Sequence, residues 1–117
     1  MPSILIVDDQ SYMQDLFAFE LADNNYTILR AEDIEIARVY LDSFKLDLVI
    51  LDLYINGFHG WDLLEEVKLK YPELPVLIVT AYDNFMNDPR AIKADAYVIK
   101  NIQNVDFIGQ KVRDLLR

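Results

Sequence analysis

Cysteine is missing from this sequence altogether, which excludes both a disulfide framework and a thiolate metal site. Long apolar runs are missing too. With none near membrane-spanning length and no secretory leader, the expected location is the cytoplasm, with no membrane partner. Positive charge is scarce: 11 lysines and arginines face 20 aspartates and glutamates, for a formal net charge of −9. Such a surface repels phosphate backbones and anionic lipid, so no direct nucleic-acid binding is expected and partners should be proteins. The single histidine, His59, lies in a loop flanked by Gly57 and Gly60 with no partner sequence around it, and reads as an exposed loop residue. No repeat, low-complexity stretch or linker interrupts the 117 residues, and 53% hydrophobic with 26% charged residues is a globular composition. One domain over residues 1–117 is expected.

What the chain does have begins with two adjacent aspartates, Asp8 and Asp9, directly after Ile4, Leu5, Ile6 and Val7. A third, Asp52, follows Leu48, Val49, Ile50 and Leu51. Short all-apolar runs in an α/β chain read as buried parallel strands, and open α/β sheets bind ligands at the carboxyl edge of such strands. Three carboxylates meeting there raise one another's pKa unless a cation neutralises them. The natural resident is a hard divalent ion, magnesium.

Strand and helix signals alternate along the whole chain. Met13, Leu16, Phe17 and Leu21 share a helical face, with Ser11 as N-cap and Asn24 and Asn25 as terminators. Residues 27–31 read as the second strand. Asp33 caps a second helix whose inner face is Ala37, Tyr40, Leu41 and Phe44. The third strand, 48–51, delivers Asp52, and Gly57 and Gly60 fall in the loop beyond it, where the chain must turn and approach closely. Leu63, Leu64, Val67 and Tyr71 form the next helical face, closed off by Pro72 and Pro75. Residues 75–79 and 96–99 read as strands ending at Thr80 and Lys100. A last helix starts near Asn104 and buries Val105, Ile108, Val112 and Leu115 or Leu116. Five strands alternating with five helical segments imply right-handed crossovers and helices on both sheet faces.

Asp8 and Asp9 after strand one, Asp52 after strand three, Thr80 after strand four and Lys100 after strand five thus arrive at one sheet edge. Taken singly, each has a plainer reading: a helix-start cap, a strand-end residue, a solvated surface charge. Together they resemble the receiver domain of two-component response regulators, of the chemotaxis and sporulation single-domain type, over essentially the whole chain. The resemblance implies an α/β, flavodoxin-like fold: a five-stranded parallel sheet in the order 2-1-3-4-5 with helices on both faces. It implies that Asp52 accepts a phosphoryl group from a phosphohistidine on a sensor histidine kinase or histidine phosphotransfer protein. Magnesium would be held by Asp9, Asp52 and the backbone carbonyl of Tyr54, with Asp8 acting through water. Lys100 and Thr80 would contact phosphoryl oxygens, with small Ala81 leaving the site open. Tyr97 would turn from exposed to buried as Thr80 moves inward, switching a surface for a downstream effector protein. Tyr54 and Tyr82 occupy positions that control water access to the acyl phosphate in this family, and two aromatics there should slow hydrolysis. The protein would act chemically only on itself, so it is not expected to be an enzyme, and it would be a monomer or weak homodimer.

Three departures from the family pattern carry expectations of their own. Asn101 stands where the family usually has a proline with a cis bond that aims the lysine, and a cis bond before a non-proline residue costs about 2.5–4 kcal/mol. Asn56 and His59 replace the common proline and aspartate of the loop after the acceptor, although Gly60 is kept. Between Thr80 and Lys100 the chain looks about two residues shorter than the common receiver pattern, with Asp88 and Pro89 in the middle. Proline suits a first helical turn, so the spacing predicts a shortened fourth helix starting near Pro89, capped by Asp88 and preceded by a loop over 82–87.

Other readings remain open at this level. A receiver-like binding module could work without phosphorylation, and the chain could be the N-terminal receiver of a longer DNA-binding regulator. An aspartyl phosphohydrolase would commonly need a second carboxylate two residues past the nucleophile, where this chain has Tyr54.

Overall fold

The apolar runs become the strands. The computed structural model describes residues 1–22, 25–57, 59–81, 87–100 and 105–116. Strands β1 (Ser3–Val7), β2 (Thr27–Ala31), β3 (Leu48–Leu51), β4 (Val76–Thr80) and β5 (Ala96–Ile99) form one parallel sheet in the order β2-β1-β3-β4-β5. Between them run α1 (Ser11–Leu21), α2 (Ile34–Ser43), α3 (Gly60–Lys70), a 3-10 helix (Pro89–Lys93) and, last, α4 (Val105–Leu115).

Side chains alternate across a strand, so each apolar run feeds both faces. Leu5, Val7, Val49, Leu51 and Ile78 pack with Ala37 and Leu41 of α2 and Leu63, Leu64 and Val67 of α3. On the opposite face Ile4, Ile6, Ile50, Leu77 and Val79 pack with Met13, Phe17 and Leu21 of α1 and Ile108 and Val112 of α4. Each such aliphatic side chain contributes about 1.5–3 kcal/mol when fully buried. Two apolar layers therefore hold the sheet, and they fix its carboxyl edge in space.

Local chemistry explains most element boundaries. Asp33 caps α2, its Oδ1 accepting from the Ile36 N–H at 2.8 Å. Asn25 adopts a φ of 58°, a left-handed conformation suited to asparagine after a helix. Asp88 accepts from the Arg90 N–H at 2.9 Å and Pro89 opens the 3-10 helix, as the spacing predicts.

Several expectations need correction. Ser11 is the first residue of α1 rather than its cap; Gln10 holds the cap position and makes no side-chain cap bond. Phe44 does not belong to the inner face of α2. The helix ends at Ser43 and the chain turns extended at Phe44, which leaves its ring 52% exposed and tilted against Tyr40. β4 starts at Val76, since Pro75 has no N–H for the ladder, although its carbonyl accepts from the Val49 N–H at 3.0 Å. Asn24, Tyr82, Asn101 and Asn104 lie outside the described residues, as do 82–86 of the expected loop and the side chain of Val105.

Candidate functional site

The ends of β1 and β3 are tied to each other and to β2. The Asp52 N–H donates to the Val7 carbonyl at 2.9 Å, and the Asp8 N–H donates to the Ala31 carbonyl at 3.1 Å. These bonds carry the ladder one residue past the strands and bring the carboxylates together. One oxygen each from Asp8, Asp9 and Asp52 lies within 4.8 Å of the others. Asp8 and Asp52 are buried and Asp9 is exposed at the rim.

Lys100 follows β5 and reaches into this cluster, its backbone N–H held by the Thr80 carbonyl at 2.6 Å. Its ammonium stands 2.8 Å from Asp8 Oδ2 and 3.2 Å from Asp52 Oδ2, and donates to Gln10 Oε1 at 2.7 Å. The Gln10 N–H donates to Asp8 Oδ1 at 2.8 Å and the Tyr54 N–H to Asp52 Oδ1 at 3.1 Å. Burial pushes the Asp52 carboxyl up to about 6 against the pull of the Lys100 ammonium, with the Asp8 charge adding to the rise. Burial likewise raises Asp8, again opposed by Lys100. Lys100 is pulled down by burial, yet the Asp8 and Asp52 carboxylates outweigh this and hold it above its usual value.

An all-oxygen donor set of two buried carboxylates and one exposed carboxylate fits a hard divalent cation. Asp8 Oδ2 is buried with no hydrogen bond of good geometry, the Lys100 ammonium being its charged neighbour, so an oxygen there is available as an acceptor. The cleft above the cluster has a volume of about 320 Å³ and is lined by Asp9, Gln10, Asp52, Tyr54, Ala81 and Lys100. A larger cleft of about 640 Å³ lies at the other end of the sheet, where residues such as Phe44, Leu46, Tyr71 and Pro72 carry no comparable chemistry.

The remaining expected residues fall into place unequally. Thr80 is fully buried at the end of β4, beneath the cleft that Ala81 lines. Tyr97 is half-buried on β5, opposite Ile78, and packs on the core face shared with α2 and α3, away from the carboxylates. Tyr54 is 43% exposed at the cleft wall. His59 is exposed and lies 3.6 Å from Asp62, while Trp61 is buried in the core.

Two glutamines were not singled out by sequence reasoning. Gln10 touches Lys100, and Gln14, buried within α1, donates from Nε2 to the Asp8 carbonyl at 2.6 Å and the Ala31 carbonyl at 3.0 Å. The available signal was a polar residue on the face of α1 that also carries Phe17 and Leu21.

Fold and edge together define a doubly wound parallel α/β domain with an acidic, lysine-bridged site at the carboxyl ends of its strands. The chain belongs to the response regulator receiver domain family, whose sequence profile matches residues 4–110. It is similar to the response regulator TrrA of Thermotoga maritima, solved in complex with Mg2+-BeF, with a TM-score of 0.91, 34% identity and coverage of 99% of this chain and 100% of that one. TrrA in complex with the histidine kinase ThkA matches with a TM-score of 0.90 and 35% identity, over 100% of both chains. The nitrogen assimilation regulatory protein NtrX of Azorhizobium caulinodans is 33% identical over 96 residues, 80% of this chain and 21% of that protein. The chain spans about a fifth of the length of the curated relatives it matches, 21% of NtrX and 18% of RcaC from Microchaete diplosiphon. No helix among the described residues is long and apolar enough to cross a membrane.

Proposed function

We propose that this receiver takes a phosphoryl group onto Asp52 from a phosphohistidine on a histidine kinase or phosphotransfer protein, and relays that state to an effector protein. The observation that carries the reading is the Lys100 ammonium set between Asp8 and Asp52 beside a third carboxylate, Asp9. An ionised Asp52 oxygen attacks phosphorus, the phosphorus–nitrogen bond breaks, and its electron pair leaves with the imidazole.

Bound magnesium supplies charge neutralisation between acceptor and incoming group. Asp9 and Asp52 would hold it directly with the Tyr54 carbonyl, and Asp8 through water. TrrA, with Mg2+-BeF, supports the choice of ion, and its complex with a kinase supports the choice of donor. Lys100 moves from carboxylate to phosphoryl oxygen, and Thr80 donates its hydroxyl to another. Tyr97 follows Thr80 inward and changes the effector-facing surface. The reaction turns over no external metabolite, so the protein is a switch rather than an enzyme. Residues 1–117 act as one receiver unit, in the cytoplasm where kinase phosphohistidine is supplied.

Intact-mass spectrometry after incubation with magnesium and acetyl phosphate tests the reading. One added phosphoryl group, lost on Asp52→Ala or on chelation, is expected. No adduct, while a control receiver is labelled, overturns the proposal in favour of a phosphorylation-independent binding module.

A further inference from the structure

We propose that Gln10 is a positioning residue for Lys100, a neutral acceptor that keeps the ammonium in the site once the carboxylates are claimed by cation and phosphoryl group. The inference rests on Asp52 being the phosphoryl acceptor. An ammonium has three donors, and Lys100 Nζ has three oxygen neighbours: Gln10 Oε1 at 2.7 Å, Asp8 Oδ2 at 2.8 Å and Asp52 Oδ2 at 3.2 Å. The shortest of these contacts is the only uncharged one.

The other two oxygens belong to carboxylates that a divalent cation would also draw on, Asp52 directly and Asp8 through water, and Asp52 is the one to be esterified. Cation and ammonium therefore compete for Asp8 and Asp52. An ammonium with no third partner either holds the carboxylates against the cation or swings out to solvent. Gln10 resolves this competition, because an amide oxygen beside Lys100 satisfies the ammonium without being needed by the metal.

Gln10 is fixed well enough to do so. Its N–H donates to Asp8 Oδ1 at 2.8 Å, and its carbonyl accepts from the Met13 and Gln14 N–H groups at 3.1 and 3.2 Å at the head of α1. Gln14 in turn ties the Asp8 carbonyl from within the core. Lys100 is thus held at its backbone by Thr80 and at its tip by Gln10, from opposite sides of the sheet edge.

Gln10→Met keeps the side-chain length and removes the acceptor; Gln10→Glu keeps an acceptor oxygen. Gln10 is exposed and makes no side-chain cap bond, so both variants should fold, and thermal melts check this. Calorimetric titration with magnesium alone, and the initial rate of acetyl phosphate labelling at saturating magnesium, are the two readouts. Gln10→Met is expected to weaken magnesium binding and slow labelling, each on the order of three- to tenfold, the range of one ordinary hydrogen bond, since this contact is exposed. Gln10→Glu is expected to bind magnesium at least as tightly as wild type and to label faster than Gln10→Met. Wild-type values for Gln10→Met, or equal losses in both variants, overturn the inference while wild-type labelling at Asp52 leaves the receiver reading intact. A wild type that takes no label overturns that reading, and this inference with it.

Discussion

The Arg90 guanidinium lies 4.3 Å from the centre of the Trp61 ring, held over it by Asp88 through hydrogen bonds of 3.0 and 2.7 Å. A cation over an indole face is worth about 0.5–1 kcal/mol at an exposed site, and this one joins the 3-10 helix to the start of α3. Arg90→Ala should lower stability by about that amount and shift the emission of the single tryptophan, which then gains solvent. Urea unfolding followed by fluorescence measures both, and an unchanged spectrum and midpoint would show that the contact does not hold the helix in place.

A pH dependence follows from the burial of the Asp52 carboxyl. Asp52 titrates near 6 in the folded protein against an ordinary value of 3.8. Between those values the folded chain binds more protons than the unfolded one, so stability falls as pH rises through the interval. The contribution is complete below about 4, gone above about 6, and at most about 3 kcal/mol. Asp8, also raised, acts in the same direction. Melting temperatures in chelator should drop from pH 5 to pH 7, Asp52→Asn should flatten that drop, and magnesium should reverse it. A wild-type profile that is level over this range would show that Asp52 is already ionised at pH 5.

Gly60 sits where α3 meets the segment that follows β3. A Cβ there would lie 2.6 Å from the Asp52 carbonyl oxygen and from the Cα and carbonyl oxygen of Leu53, all backbone atoms that cannot swing aside. Gly60→Ala should cost about 1–3 kcal/mol through overpacking and slow labelling of Asp52 by displacing its backbone. Denaturant midpoints and labelling rates together test this, and a variant matching wild type in both would mean that α3 shifts freely.

Gln14→Leu removes the two donors that reach the Asp8 and Ala31 carbonyls, although Ala31 keeps the Asp8 N–H. Leaving a buried carbonyl without its partner costs about 1–3 kcal/mol. Stability should fall by that amount and magnesium affinity with it, because the anchored segment carries Asp8 and Asp9. Equal affinity in a destabilised variant would confine Gln14 to holding the fold.

The strands were legible because runs such as Ile4 to Val7 are apolar on both faces, and a strand buried on both sides has no polar phase to hide it. The carboxylates and Lys100 were legible because each directly follows such a run. Gln10 and Gln14 were not, because their partners lie across the sheet edge and in main-chain carbonyls that no spacing rule reveals. Phe44 was misplaced because helical periodicity does not announce where a helix stops. Asp88 and Pro89 succeeded for the opposite reason: a cap and a proline state their geometry locally.

Asp52 directly follows the middle strand of five, β3, which has β1 and β4 as its neighbours. A group added there would meet a backbone braced on both flanks, unlike the margin of the sheet beyond β4, where β5 is the edge strand. On that margin the 3-10 helix Pro89–Lys93 has no buried residue and a length of about 10 Å. A rod that short cannot tilt as a lever. Among the described residues of that margin, a change would register as local repacking around Arg90 and Tyr97 rather than as the swing of a long helix.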